Sequence, residues 1–162
     1  MRPLPKKSSV INMVMYGLIF LVILTIDIVS KHLIIKNFPV GKTVPVIDNI
    51  LHLTYVRNTG AAFGIFHNST VFLTVFSILI ILGIIGAVIY YKPKERLINI
   101  SITMIISGAV GNIIDRIRFG YVVDFIDVRI INFAVFNLAD TFICIGVFLM
   151  VLYVLFHKET DN

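Results

Sequence analysis

Hydrophobic residues in this chain come in long unbroken runs rather than in alternation with polar ones. Four stretches carry no charge, Ser8 to Ile26, Val71 to Tyr91, Leu97 to Ile114 and Thr141 to Phe156, with 19, 21, 18 and 16 residues. An apolar helix needs about 20 residues to cross a hydrocarbon core ~30 Å thick, so the runs predict four transmembrane helices. The last is short, but Ile130 to Ala139 before it is also uncharged, so this helix extends backward past Asp140 by a turn. The predicted helices cover about 10–30, 70–91, 97–115 and 137–157, with outer loops about 31–69 and 116–136, in a single polytopic membrane domain of residues 1–162. Glycines within the runs (Gly17, Gly83, Gly86, Gly108, Gly111, Gly146) suit close helix packing. The ten-residue alternating segments of a transmembrane β-barrel are absent, as are internal repeats.

Two segments refine this pattern. Ser8 to Ile26 follows Arg2, Lys6 and Lys7 as an apolar core follows the basic start of a secretory signal. No small-x-small cleavage pattern follows it, so the segment is expected to stay in place as the first helix. Between 38 and 57, Pro39, Gly41 and Pro45 punctuate the chain, and Ile50-Leu51-His52-Leu53-Thr54-Tyr55-Val56 alternates. Short strands at the outer surface are predicted there.

Composition agrees with the runs. Hydrophobic residues make up 58% of the chain and charged ones 14%, and the mean hydropathy of +0.97 excludes a soluble enzyme or a disordered chain. A net charge of +5 raises nucleic acid as a partner, but the Lys and Arg are scattered between apolar runs rather than gathered in one stripe, so no nucleic acid is expected. They read as membrane flanks. By raw count the two sides tie, with Arg2, Lys6, Lys7, Lys92, Lys94, Arg96 and Lys158 on one and seven in the long loops on the other. The first set is denser, which puts both termini in the cytoplasm.

Ionisable residues at membrane depth cost roughly 2.5 to 3.5 kcal/mol even on lenient scales, so each is a candidate functional residue. Here they gather at one end of the bundle. Asp27 and Lys31 end helix one, Asn112, Asp115 and Arg116 end helix three, Asp124 and Asp127 lie in the following loop, and Asn137 and Asp140 begin helix four. Asp27 with Lys31 and Asn112 with Arg116 are i,i+4, and Asn137 with Asp140 is i,i+3, so each helix end carries a paired polar face. One such pair alone is equally an interfacial salt bridge. For Arg116, a structural ion pair with Asp115 or Asp27 stands level with a role in holding a carbonyl or carboxylate.

The chemistry open to this set is narrow. His32, His52, His67 and His157 are dispersed, with His52 and His67 reading as surface loop residues, and Cys144 is mid-helix, so neither a nucleophile beside a base nor a metal site is expected. Ser30 and Lys31 are adjacent and diverge on a helix, a weak case for a Ser-Lys dyad. The 13 Phe and 6 Tyr read as lipid-facing or core. Aspartates remain. Two carboxylates sharing a proton supply a general acid and a general base without a cofactor, and a low dielectric strengthens the effect. Spacing does not decide which two of Asp115, Asp124, Asp127 and Asp140 meet. A transporter would instead need polar groups at mid-depth, where these helices offer only Ser, Thr or Gly, and a plain anchor gives no reason for so many Asp and Asn at one end.

At this point the chain resembles the bacterial lipoprotein signal peptidases (signal peptidase II, or prolipoprotein signal peptidase). The resemblance rests on Asp27-x-x-Ser30-Lys31, Arg57-Asn58-Thr59-Gly60-Ala61-Ala62-Phe63-Gly64, Gly111-Asn112-Ile113-Ile114-Asp115-Arg116, Val122-Val123-Asp124-Phe125-Ile126-Asp127 and Phe136-Asn137-Leu138-Ala139-Asp140, in that order over nearly the whole chain. It implies an all-α integral membrane protein with four transmembrane helices, a small β-rich extracytoplasmic cradle and an interfacial helix. It further implies an aspartyl endopeptidase of the cytoplasmic membrane, working as a monomer with phospholipid around it. Its substrates would be diacylglyceryl-modified prolipoproteins, cut just before the lipidated cysteine. The resemblance places the catalytic pair on Asp124 and Asp140, with Asp27, Lys31, Asn58, Gly108, Asn112, Arg116, Asn137 and Ala139 in support and no metal or other cofactor. Ile28 departs from the family, which often has Gln there.

Overall fold

The computed structural model describes residues 7–60, 69–131 and 133–156. Four helices, α1 (Lys7–Asn37), α2 (Thr70–Tyr91), α3 (Arg96–Phe119) and α4 (Leu138–Phe156), are joined on one side by three strands, β1 (Thr43–Ile47), β2 (Leu51–Asn58) and β3 (Val122–Val128). All four helices are long and apolar enough to cross a membrane. Their outer faces carry large exposed side chains such as Leu18, Phe76, Leu79 and Phe148, which suits a solvent of lipid tails rather than water.

Helix α1 runs seven residues past the predicted end near residue 30. In sequence Asp27 and Lys31 end the helix, but the helix carries Lys31 inward to two carboxylates and continues, and Ile34 one turn on is buried against the sheet. At 31 residues and 1.5 Å per residue the helix measures about 46 Å, more than the hydrocarbon core requires. Its surplus forms the wall on which the strands rest. Ile34, Tyr55, Val123 and Phe125 form a small core there, with Phe38, Leu53 and Leu138 packed around it.

The sheet has the order β1-β2-β3, antiparallel throughout. Strands β1 and β2 fall where the alternation predicts them. Strand β3 does not: sequence alone predicts a loop around Asp124, and the segment is a strand paired to β2, with Asp124 opposite Val56 and Val122 opposite Asn58. Its first four residues are buried, so neither face shows the polar alternation of a half-exposed strand. Gly120 sets it up. With φ 77° it closes α3 through an N–H bond to the Arg116 carbonyl and turns the chain directly into β3. Outside the four long helices, the described residues hold one further helical turn, Arg129–Ile131.

The glycines divide into two groups. Gly17, Gly83 and Gly86 face open space, so packing does not explain them. Gly108, Gly111 and Gly146 lie where α3 meets α1 and α4: a Cβ on Gly108 would strike the Ala139 carbonyl and Ile143, one on Gly111 would strike the Asp27 carboxylate, and one on Gly146 would meet Ser101 and Ile105. Helix α3 therefore approaches its neighbours on backbone.

Candidate active site

Helix α3 places Gly108, Gly111, Asn112 and Asp115 on one buried stripe, the i, i+3, i+4, i+7 pattern of a helix face. From α1, Lys31 reaches into this stripe. Its ammonium lies 2.9 Å from Asp27 Oδ2 and 3.1 Å from Asp115 Oδ2, and it donates to Asn112 Oδ1 at 2.9 Å. With Lys31 only 2% exposed, an unpaired ammonium would be costly, and two carboxylates in ion-pair range together with the Asn112 hydrogen bond offset that cost. Asp115 also accepts the Val123 N–H and ties β3 to the helix. Ser30 points away, its hydroxyl donating to the Asp27 carbonyl within α1, so no Ser-Lys dyad forms.

Helix α4 begins in the same place. Asn137 Oδ1 accepts the Asp140 N–H at 2.9 Å, and Asp140 Oδ2 accepts the Asn137 N–H at 3.3 Å. This reciprocal pair satisfies two of the free donors of a helix start. The Ala139 N–H is taken by Asp27 Oδ1 at 3.0 Å, which gives α1 a direct hold on the first turn of α4.

The two remaining carboxylates are held by side-chain amides. Asp140 Oδ1 accepts from Asn112 Nδ2 at 2.7 Å. Asp124 Oδ1 accepts from Asn137 Nδ2 at 2.7 Å and Asp124 Oδ2 from Asn58 Nδ2 at 2.8 Å. Asn58 is itself set by the Gly60 N–H, which donates to its Oδ1. Among the described residues, Asp27, Asp115 and Asp127 each have a cation within 4 Å, whereas Asp124 and Asp140 have none. That contrast separates the four aspartates that spacing leaves equal. Burial, together with the nearby charge of Asp140, pushes the Asp124 carboxyl up to about 7. Burial also pushes the Asp127 carboxyl upward, but the Thr54 hydroxyl and the Arg129 guanidinium outweigh it and hold that group below its ordinary value. Three residues apart on one strand, Asp124 and Asp127 face opposite sides of the sheet.

Asp124 and Asp140 line one cavity of about 520 Å3, with Asn58, Gly60, Asn112 and Arg116 at its polar end. Its apolar side comes from Phe133 to Phe136 and from Thr141, Cys144 and Ile145. Sequence reasoning assigns Phe133, Phe136 and Cys144 no role. A signal exists for Cys144, which is i+4 from Asp140 and so shares its helix face. His52, expected in a surface loop, is instead buried on β2 with neither ring nitrogen hydrogen-bonded among the described residues. The expectations for Ala61 to Gly64 and for His67 fall outside the described residues.

Arg116 makes no ion pair with Asp115 or Asp27, so the structural reading of this residue finds no support, and its half-buried side chain borders the cavity instead. Arg116→Lys is expected to leave the melting temperature unchanged and to raise KM several-fold, because an ammonium loses the forked geometry of a guanidinium. Steady-state kinetics beside a thermal melt checks this, and an unchanged KM would remove Arg116 from substrate binding.

Comparison with known proteins bears on what this site does. The family profile described as signal peptidase (SPase) II matches residues 19–156, which contain every residue of the cavity. The chain belongs to the signal peptidase II family. A lipoprotein signal peptidase of Moorella thermoacetica is 45% identical over 133 residues, covering 82% of this chain and 87% of that protein. A lipoprotein signal peptidase of Clostridioides difficile is 41% identical over 150 residues, covering 91% and 99%. Among solved structures, a bacterial membrane enzyme determined in meso at 1.9 Å superposes with a TM-score of 0.80 at 33% identity, covering 89% of this chain and 94% of that one. A second, at 2.3 Å, gives a TM-score of 0.80 at 32% identity, with 91% and 92% covered. As a member of the signal peptidase II family, the chain is a multi-pass membrane protease that processes lipoproteins.

Proposed function

We propose that this chain is an aspartyl endopeptidase in which Asp124 and Asp140 together activate a water molecule, and that it removes signal peptides from diacylglyceryl-modified prolipoproteins just before the lipidated cysteine. The observation that carries this reading is that Asp124, buried, and Asp140, partly buried, line one cavity and among the described residues have no cation within 4 Å, while Asp27 and Asp115 share Lys31 and Asp127 has Arg129. A like charge raises the proton affinity of a neighbouring carboxylate, so the pair keeps one proton near neutral pH, and its apparent values belong to the pair.

The chemistry follows from that proton. The ionised partner takes a proton from water as the water oxygen attacks the scissile carbonyl, and the protonated partner donates to the developing oxyanion. Collapse of the tetrahedral carbon breaks the C–N bond, and the amine leaves with a proton returned by the pair. Asn58, Asn112 and Asn137 hold the carboxylates at fixed angles, which supplies orientation. Arg116 holds a backbone carbonyl of the peptide. No metal or cofactor is called for.

In this reading the site lies at the extracytoplasmic face of the cytoplasmic membrane, both termini are cytoplasmic, and the chain acts as a monomer. A substrate anchored by acyl chains stays in the outer leaflet and reaches the cavity by lateral diffusion. The apolar wall of Phe133, Phe136 and Ile145 suits the hydrophobic segment of a signal peptide.

Incubating the purified protein in detergent with a diacylglyceryl-modified prolipoprotein should release a signal peptide visible on a gel, while the unmodified precursor stays intact. Failure to cut a verified lipid-modified substrate would overturn the proposal. The pH profile has a definite sign as well. Because burial and the charge of Asp140 push the Asp124 carboxyl up to about 7, kcat/KM should fall as pH rises above that value and the pair loses its shared proton. A rate that stays flat to pH 10 would exclude a shared-proton pair.

A further inference from the structure

Lys31 touches neither Asp124 nor Asp140, yet it is linked through Asn112 to amides that orient both. Asn112 is the connecting residue. Its Oδ1 accepts from Lys31 Nζ at 2.9 Å and from Asn137 Nδ2 at 3.1 Å, so both lone pairs of that oxygen are used by donors. The Nδ2 end then points the other way and donates to Asp140 Oδ1 at 2.7 Å. If the amide were reversed, its NH2 would face an ammonium and its oxygen would face a carboxylate. Both contacts would be repulsive.

We infer that Lys31 is a positioning residue that fixes the orientation of the Asn112 amide and thereby makes Asn112 a hydrogen-bond donor to Asp140. The inference rests on the aspartyl reading above and deepens it. An amide has two nearly isosteric orientations, and a buried cation on one side makes the choice between them one-sided. The same orientation continues to Asn137, whose Nδ2 donates to both Asn112 Oδ1 and Asp124 Oδ1. One ammonium on α1 therefore sets the hydrogen-bond polarity of a relay that ends on both carboxylates.

Lys31 also acts through its charge, which holds the Asp124 carboxyl lower than burial and Asp140 would leave it. The charged groups around the pair are Asp27 and Lys31 on α1 and Asp115 and Arg116 on α3. Removing the ammonium therefore moves the alkaline limb of the pH profile to higher pH. A role confined to folding would not move it.

The test uses the full chain in detergent. Lys31→Met alone leaves Asp27 and Asp115 facing each other unpaired, so the variant is made together with Asp115→Asn, which removes one of those charges and keeps an acceptor for the Val123 N–H. Relative to Asp115→Asn, the double variant is expected to lose about 10- to 100-fold in kcat with KM within about twofold, and its pH optimum should move upward. Adding Asn112→Ala closes a mutant cycle. Once the amide is gone Lys31 has nothing to orient, so Lys31→Met should then cost little further rate. If the double variant is poorly folded, Lys31→Gln in the same background, whose amide can still donate to Asn112, should retain more kcat than Asn112→Ala does.

An unchanged kcat and pH profile in folded Asp115→Asn/Lys31→Met, or full additivity with Asn112→Ala, would overturn the inference and leave Lys31 as an ion-pair partner only. Asp124→Asn in the same assay separates this from the underlying reading. If Asp124→Asn also cleaves, the aspartyl pair is wrong rather than the role of Lys31.

Discussion

Replacing Asp124 or Asp140 by Asn is expected to lower cleavage by on the order of 10^3-fold or more, with both proteins remaining folded. Each substitution keeps the shape of the side chain and removes its capacity to take or give a proton. After Asp124→Asn the new amide oxygen would still accept one of the bonds that Asn58 and Asn137 donate while its NH2 faces the other donor, so a loss of about 1 kcal/mol that leaves the protein folded is expected. Asp127→Asn is the matched control. Its side chain bonds Thr54 and Arg129 on the other face of the sheet, so cleavage should stay within about twofold of the parent. Gel-based cleavage rates beside far-UV circular dichroism melts decide the matter. A folded Asp124→Asn or Asp140→Asn enzyme that still cuts would remove that residue from the catalytic pair.

Gly108→Val should produce the largest loss of stability. The added atoms would meet the Ala139 carbonyl and Ile143, and a backbone carbonyl in the first turn of α4 cannot rotate away. Relief requires moving α4 off α3, at a cost of about 3 kcal/mol or more. Because Asp140 is in that same turn, cleavage should fall along with the melting temperature. Gly86→Ala serves as the comparison, since a Cβ there meets nothing and alanine is a better helix former by up to about 1 kcal/mol. A Gly108→Val protein that melts with the parent would show that the helices separate at little cost.

What the sequence conveys and what it withholds have physical causes. The four helices can be read because hydropathy over 20 residues is a one-dimensional signal, and α2 at Thr70–Tyr91 matches its predicted span. The end of α1 cannot, because Asp27 and Lys31 look like the polar end of a membrane span until Lys31 is known to sit between Asp27 and Asp115. Strand β3 escapes a reading by pattern because it is buried on both faces at its start and so lacks alternation. That error has a consequence for the site. Read as a strand, Val122 to Asp127 places Asp124 and Asp127 on opposite faces at once. Under the proposed function, setting Asp140 apart from Asp115 needs three dimensions, since only there does Lys31 reach across from α1 to Asp115. The resemblance to signal peptidase II implies the same pair.

The hydrogen bonds that start α4 have a consequence for motion. The Asp140 N–H bonded to Asn137 Oδ1 and the Asn137 N–H bonded to Asp140 Oδ2 are the kind of terminal contacts that fray most readily in ordinary helices. Here fraying would release the Asp140 carboxylate from its alignment in the same event. The exchange rate of the Asp140 amide proton with solvent therefore reports how often the site is assembled, and slowing it from outside, with a ligand seated in the cavity, would report how far occupancy organises the enzyme.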